Sequence, residues 1–136
     1  MEGAVLLFDV DRLQRINDIL GYLVGDEVLQ RLGQKCQSME GVISYRGPGG
    51  KFYCITTEKS ESALDRIYRE VQRFSEEVPR EMNLEIQLTI SCGVAFFPQD
   101  AEDFETLHAN VEYALKQAKK VGRGSIAQFS GQMHRK

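Results

Sequence analysis

Apolar residues recur at two different spacings along the chain, and these divide it into predicted strands and helices. Residues 4–8 form a continuous apolar stretch, which indicates a strand that is buried on both faces or covered on one face by helices. Asp11 follows as a natural N-cap, and apolar residues then recur at helical spacing until Gly21. A second helix is predicted to open at Gly25 and Asp26. Its buried stripe consists of Val28, Leu29, Leu32 and Cys36.

The remaining two thirds of the chain divide in the same way. The predicted elements are strands over residues 42–46 and 52–56, a helix over 60–78, a β-rich segment over 84–97, a helix over 104–120 and a short strand over 125–129. The Gly-rich segment 47–51 is typical of a hairpin turn between the first two of these strands. Ser60 is expected to cap the helix that follows it.

The order of these elements, β-α-α-β-β-α-β-α-β, predicts the fold class. Two β-α-β units around a central hairpin indicate an α+β domain of ferredoxin-like type, with an antiparallel sheet and helices on one face. No linker, repeat or low-complexity segment divides residues 1–129, which we expect to be one domain. Residues 130–136 are polar and are expected to be a tail or a linker to a further domain.

Composition and charge exclude several classes of function. The 136 residues suit a single domain, which at this size needs neither a disulfide nor a metal to hold it together. Cys36, Cys54 and Cys92 show no C-x-x-C spacing and fit a reducing, cytoplasmic setting. The net charge of −3 argues against bulk nucleic-acid binding. No apolar run approaches the roughly 20 residues of a membrane span, so we expect no membrane contact by this segment.

The end of the first predicted strand is a candidate metal site. Asp9, Val10 and Asp11 stand beside the start of a helix, where carboxylates and nucleotide phosphates together suit magnesium. The plainer interpretation is that Asp11 is only a helix cap and Asp9 only a surface acid.

Two other segments are candidates for ligand binding. Gly49, at the tip of the predicted hairpin, permits close approach of a ligand to the backbone, but it also suits a tight turn. Lys119 and Arg123 are four residues apart at the end of the last predicted helix, and we expect them to share a helical face and to clamp a phosphate. The same two cations also suit the C-terminal end of a helix, where they oppose its dipole.

Three sequence blocks together resemble the GGDEF family, the diguanylate cyclases. Residues 8–29, FDVDRLQRINDILGYLVGDEVL, are similar to the family pattern D-x-D-x-F-K-x-I-N-D-x-x-G-H-x-x-G-D-x-x-L. Residues 89–98, TISCGVAFFP, and 114–123, ALKQAKKVGR, resemble the later T-x-S-x-G-V-A…P and A-L-Y-x-A-K…G-R blocks. The resemblance covers about residues 4–129 and implies a nucleotidyl-cyclase-type fold with the element order predicted above.

The hairpin that gives the family its name departs from the pattern. Family members read R-x-G-G-[DE]-E-F, whereas residues 46–52 read RGPGGKF, so the signature is the degenerate Pro48-Gly49-Gly50-Lys51-Phe52. The resemblance implies that the first acid would bind metal together with Asp9 and the Val10 carbonyl. Gly50 and Lys51 hold the positions of the two acids, and a lysine repels a divalent cation. We therefore expect only a vestigial metal site and no catalytic residues.

Other positions in these blocks bear on the same expectation. Gln14 stands where the family has a phosphate-binding lysine, and Tyr22 where it has a histidine, so lost catalysis is favoured. We expect Lys51 to pair with Asp9, or with a phosphate, in place of a metal ion. Magnesium would then be bound only if the vestigial site still holds a nucleotide.

Recognition of guanine is the part of the family site that the sequence keeps. The resemblance implies that Asn17 and Asp26 hydrogen-bond the base, that Lys119 and Arg123 contact phosphate, and that Gly49 lies beside the nucleotide. The hypothesis is weak binding of GTP or GDP. The alternative is that Asn17 and Asp26 persist as local caps of the two helices.

Three functions remain open on the sequence alone. The first is a regulatory GGDEF-like domain of a cyclic di-GMP signalling protein that has lost cyclase activity. The second is a working cyclase that joins two GTP across a homodimer, and the third is a purely structural or protein-interaction domain. The family's leading helix is missing before the first strand, so we expect a piece of a longer protein whose neighbour is a domain such as an EAL phosphodiesterase.

Overall fold

The computed structural model of the chain describes residues 2–58 and 60–130, and within them it has five strands and four helices. In chain order these are β1 (Gly3–Val10), α1 (Leu13–Leu20), α2 (Tyr22–Ser38), β2 (Ile43–Arg46), β3 (Lys51–Thr56), α3 (Glu61–Glu81), β4 (Ile90–Phe97), α4 (Phe104–Val121) and β5 (Ile126–Gln128). The predicted element order and the α+β fold class are confirmed.

β1 is the central strand of a sheet whose strand order is β2-β3-β1-β4-β5. It pairs antiparallel with both β3 and β4, so that Leu6 lies opposite Cys54 on one side and Val94 on the other. Every residue of β1 is buried, which explains why its apolar run is unbroken. β2 also pairs antiparallel with β3, whereas β5 pairs parallel with β4.

Helices cover both faces of this sheet. On one face Leu6 and Phe8 of β1 pack in a cluster with residues of α2 and α3, among them Val28 and Ile67. On the other face the neighbouring β1 residues, such as Leu7, pack in a separate cluster with α4. The expectation that all the helices share one face is therefore wrong for α4.

The close approach of α4 to the sheet depends on Gly93 of β4. A Cβ atom at Gly93 would lie 2.4 Å from the backbone nitrogen of Leu115 and 2.7 Å from the carbonyl oxygen of Val111. Only glycine leaves room for the α4 backbone at this distance. Alternation along one strand cannot show which face a distant helix will cover.

The start of α2 differs from the prediction. The helix begins at Tyr22 rather than at Gly25, because Gly21, with φ of +94°, ends α1 and α2 starts directly after it. The two helices are therefore joined by a single residue.

The start of β4 differs as well. Residues 84–89 alternate like a strand, yet β4 begins only at Ile90. The last residue pair between β1 and β4 is Val10 with Ile90, so segment 84–89 has no β1 residues beside it to pair with.

The predicted helix caps are correct at one position and wrong at another. Ser60 accepts a hydrogen bond from the backbone nitrogen of Ala63 at 3.2 Å, as expected for a cap of α3. Asp11 does not cap α1. Arg12 occupies the N-cap position with φ of +55°, and it makes no side-chain capping bond.

Three features of the described residues bear on the remaining structural predictions. Cys36, Cys54 and Cys92 are buried free thiols, consistent with their predicted role as small apolar residues. None of the helices in the described part of the chain is long and apolar enough to cross a membrane. Of the predicted tail 130–136, residues 131–136 lie outside the described residues.

Candidate functional site

The carboxyl end of β1 and the β2–β3 hairpin lie together, as the sequence predicts. The backbone nitrogen of Val10 donates to the carbonyl oxygen of Gly50 at 3.1 Å. A Cβ atom at Gly50 would lie 3.5 Å from Oδ1 of Asp9 and 3.2 Å from Cβ of Val10. A carboxylate at position 50 would therefore stand beside Asp9, where a metal ion bound by both acids would lie.

Asp9 is instead paired with a lysine. Nζ of Lys119, on α4, donates to Oδ2 of Asp9 at 2.5 Å, and the Asp9 side chain is only 12% exposed. The residue that pairs with Asp9 is therefore Lys119 and not Lys51.

Lys51 reaches a different acid. Its Nζ donates to Oε1 and Oε2 of Glu112 on α4, at 2.9 and 3.1 Å. The expectation that Lys51 pairs with Asp9 is wrong, although the two residues are register partners of β3 and β1. The physical reason is the spacing of α4: Glu112 and Lys119 are two helical turns apart on one face, so each strand residue meets a separate α4 partner.

These residues do not fit a two-magnesium site. Magnesium needs oxygen ligands in near-octahedral geometry, and residue 50 supplies no side-chain oxygen while Asp9 is neutralised by an ammonium group. No group of three or more His, Cys, Asp or Glu side chains in the described part of the chain is placed to hold a metal ion. The described residues therefore do not supply the set of oxygen ligands that the resemblance implies for a metal ion at this position.

Asp11 has a structural role that the sequence reasoning missed. Its carboxylate accepts hydrogen bonds from the hydroxyl groups of Thr89 and Ser91, each at 2.8 Å, and from the backbone nitrogen of Gly124 at 3.0 Å. The side chain of Asp11 is buried. It fastens the end of β1 to β4 and to the turn before β5. The signal in the sequence was the pair of hydroxyl residues two positions apart in the second motif block.

Asn17 of α1 lies against Gly25 of α2, the residue before Asp26. A Cβ atom at Gly25 would lie 1.9 Å from Oδ1 of Asn17, so the α1 side chain contacts the α2 backbone directly. Oδ1 of Asn17 is buried and has no hydrogen-bond partner among the described residues. Asp26, the next residue along α2, is exposed. Neither residue is an N-cap in the structure, since the caps of α1 and α2 are Arg12 and Gly21.

Lys119 and Arg123 do not share a helical face, because α4 ends at Val121. Lys119 lines a cavity of about 390 Å³ together with Asp9, Lys51 and Glu112. Arg123 lines a separate cavity of about 730 Å³ together with Asp11 and Thr89.

Gly49 lies at the tip of the hairpin. Its φ is +65°, a left-handed conformation that favours glycine, and a Cβ atom there would meet nothing within 4 Å. The backbone nitrogen of Gly47 donates to the carbonyl oxygen of Lys51 at 2.8 Å and closes the turn. Gly49 is thus required by the turn and is also open to a ligand.

An aromatic cluster on the α4 side of the sheet was not predicted. The ring of Tyr53 stacks on Tyr45 with centroids 4.7 Å apart, and its hydroxyl lies 2.7 Å from Nε2 of His108. Burial, followed by the nearby Glu112 carboxylate, raises the pKa of Tyr53 to about 12. The carboxylate that pairs with Lys51 therefore also acts on the protonation of this tyrosine.

Comparison with known proteins relates this site to one family. Residues 1–125 match the family model described as "Diguanylate cyclase, GGDEF domain". The chain is 30% identical over 135 residues to cyclic di-GMP phosphodiesterase NbdA of Pseudomonas aeruginosa, a match that covers 96% of the chain and 17% of that protein. It is 31% identical over 129 residues to diguanylate cyclase DosC of Escherichia coli, covering 90% of the chain and 27% of that protein. The chain thus spans less than a third of either relative.

A solved structure has the same arrangement of elements. It is an EAL/GGDEF domain protein from M. capsulatus, with a TM-score of 0.79 and 26% identity. The match covers 95% of this chain and 85% of that one.

Proposed function

The chain belongs to the GGDEF family, and on that basis we propose that it is a regulatory domain of a cyclic di-GMP signalling protein that binds GTP or GDP without cyclising it. The proposal has two parts, loss of catalysis and retention of nucleotide binding. They are supported by different residues and are tested separately.

The observation that carries the first part is the ion pair between Asp9 and Lys119. The family resemblance implies that cyclisation of two GTP uses magnesium held by the early aspartate and by the first acid of the hairpin motif. Here Lys119 donates to Asp9 at 2.5 Å, and Gly50 replaces the motif acid beside it. A divalent ion would have to displace a bound ammonium group and would then find one carboxylate instead of two.

The second part is supported by Asn17 and Asp26. Oδ1 of Asn17 is a buried acceptor without a partner among the described residues, and leaving such an atom unpaired costs about 1–3 kcal/mol. Oδ1 of Asn17 lies against Gly25, the residue before the exposed Asp26, and an amide oxygen and a carboxylate are acceptors of the kind that the N–H groups of guanine need. Gly49, Lys119 and Arg123 are the proposed contacts to the sugar and phosphates.

The wider assembly is also a proposal. Two matching proteins are named cyclic di-GMP phosphodiesterase and EAL/GGDEF domain protein, which supports an EAL domain as a neighbour of this chain. In such a protein the nucleotide state of this domain would act on the neighbour by contact. We propose a cytoplasmic location, where GTP is available, and a homodimer as the form in which that contact is made.

Titration calorimetry tests nucleotide binding. GTP and GDP are titrated into the purified chain in magnesium and, separately, in EDTA, and saturable binding is expected in both. Asn17→Ala and Asp26→Ala should each weaken it, whereas Gln34→Ala, an exposed change elsewhere on α2, should not. Absence of heat in both buffers contradicts nucleotide binding and leaves the structural role.

An assay for cyclic di-GMP tests loss of catalysis. The chain is incubated with GTP and either magnesium or manganese, and no product is expected. Clear turnover would establish the working cyclase instead and would leave the binding part of the proposal standing.

A further inference from the structure

The outer side of α4 carries exposed residues with an acid at one end and bases at the other. Helical spacing places Glu105, Ala109, Lys116 and Lys120 on this side, and all four are exposed. We call these four residues the α4 strip. α4 is the only helix in the apolar cluster on its face of the sheet, and it packs there through its opposite side. The α4 strip therefore points away from the core.

Charge is separated along this part of the sequence. Residues 100–112 contain five acids and no lysine or arginine, whereas residues 113–123 contain four bases and no acid. Acids at the start of a helix and bases at its end suit the helix dipole, but that effect is confined to the first and last turns. Lys116 precedes the last turn, whose bases are Lys119 and Lys120. The dipole therefore does not account for the whole α4 strip.

The charges of the α4 strip lack partners within the described part of the chain, unlike many on the other helices. The ion pairs on α2 and α3 are Arg31–Glu27, Arg31–Glu81, Lys35–Glu70, Arg69–Asp65 and Arg73–Glu70. Glu105, Lys116 and Lys120 make no ion pair with the described residues. Lys116 and Lys120 are also four residues apart on one helix, a spacing at which like charges repel.

We infer that the α4 strip binds a second copy of this chain, with the two α4 helices antiparallel about a two-fold axis. In that arrangement Glu105 of each copy faces the two lysines of the other copy, so opposite charges meet at both ends. A parallel arrangement would place like charges together. Ala109 lies between the charged ends, and its small side chain lets the two helices approach closely.

The α4 strip fits a second copy better than a partner of one charge. An anionic surface would be repelled by Glu105, and a basic peptide would be repelled by Lys116 and Lys120. Exposed ion pairs are individually weak, but the two-fold axis makes each of them occur twice. We therefore expect a dimer of modest affinity that salt weakens.

This inference assigns a surface to the homodimer proposed above, and it rests on that part of the proposed function alone. The α4 strip contains none of the proposed nucleotide contacts, so the dimer should form without GTP. Calorimetry that shows no nucleotide binding would leave the expectations below unchanged.

Sedimentation equilibrium of the purified chain in EDTA, without nucleotide, tests the inference. A monomer–dimer equilibrium is expected, and its dissociation constant should rise roughly tenfold between about 0.05 and 0.5 M NaCl. Glu105→Lys and Lys116→Glu should each raise this constant by at least about tenfold, because like charges then face each other. Glu76→Lys and Arg80→Glu, matched reversals at exposed positions of α3, should leave it unchanged.

Mixing the two α4 variants gives the sharpest test. A dimer of one Glu105→Lys chain and one Lys116→Glu chain again has opposite charges at both ends of the interface. An equimolar mixture should therefore recover the dimer, and an affinity tag on one variant should retain the other. Circular dichroism checks that each variant alone is folded.

Several results would overturn the inference. These are a wild-type chain that stays monomeric, a dimer that survives either single reversal, and a mixture of the two variants that stays monomeric. A dimer that forms only with GTP would also overturn it, because the contact would then lie at the nucleotide site.

Discussion

Lys119 and Asp9, 110 residues apart in the chain, neutralise each other across the end of β1, with Nζ donating to Oδ2 at 2.5 Å. The family resemblance assigns them to different ligands, Asp9 to a metal ion and Lys119 to a phosphate. Because they are bound to each other, either ligand must break this pair before it can use its residue.

Lys119→Met should destabilise the fold more than Lys51→Met. The Asp9 side chain is 12% exposed, so removing its partner leaves a carboxylate nearly out of water, at a cost of about 1–3 kcal/mol. The Lys51–Glu112 side chains are each more than a quarter exposed, and their pair should contribute less than about 1 kcal/mol. Urea unfolding of the two variants measures the difference. Equal decreases in the free energy of unfolding would show that the Asp9–Lys119 pair stabilises the fold no more than the Lys51–Glu112 pair does.

Gly50→Asp with Lys51→Glu should create divalent-ion binding. The carboxylate introduced at position 50 would stand beside Asp9, since a Cβ atom there lies 3.5 Å from Oδ1 of Asp9. Lys119 competes for the same aspartate, so adding Lys119→Met should tighten manganese binding further. Manganese titration calorimetry measures both steps. Gly50→Ala with Lys51→Ala has the same backbone crowding and no carboxylate, and it should bind no manganese.

Gly25→Ala should impair nucleotide binding and stability, whereas Gly33→Ala in the same helix should not. A Cβ at Gly25 would lie 1.9 Å from Oδ1 of Asn17, which must then move, but one at Gly33 would meet only Phe52 at 3.4 Å. A glycine-to-alanine change in an open helical position stabilises by about 0.5–1 kcal/mol. Thermal unfolding and GTP titration of both variants check this. A stabilised Gly25→Ala protein with normal GTP affinity would contradict the proposed contact.

Stability should fall more steeply above pH 10 in the wild type than in Tyr53→Phe. Burial raises the pKa of Tyr53 from 10.0 to about 12. The unfolded chain therefore releases this proton first as the pH rises from 10 to 12, and the free energy of unfolding decreases across that window. All other ionisable groups are the same in both proteins, so the difference between the two curves isolates Tyr53. Parallel curves would show that its ionisation is not linked to folding.

The fold was predictable because local patterns and the motif blocks agree. The apolar run of β1, the Gly- and Pro-rich turn and the helical stripes indicated the element order without any tertiary information. Which helix covers which face was not predictable, since it depends on the contact of Gly93 with α4. The strand-like segment 84–89 was misassigned because pairing partners, not alternation, define a strand.

The site was predictable in its position but not in its pairings. Residue 50 lies beside Asp9, as the motif spacing implies, and Asn17 lies against Gly25, the residue before Asp26. The sequence-based prediction paired Lys51 with Asp9 because Lys51 holds the position of a motif acid, and it overlooked Glu112, which lies 61 residues later in the chain. Long side chains such as lysine choose among several acids within reach, and that choice depends on the packed helix rather than on spacing along the chain.

The two lysine–acid pairs also bear on the conditions under which this domain keeps its shape. Lys51 and Lys119 tie the hairpin and the end of β1 to a single helix, α4, with charges that belong to the polypeptide. An enzyme that recruits its cations from the surroundings varies with the amount of free magnesium in the cell. Here the cation beside Asp9 is a lysine side chain of the domain itself, so the geometry around Asp9 should be the same in magnesium-starved and magnesium-replete cells.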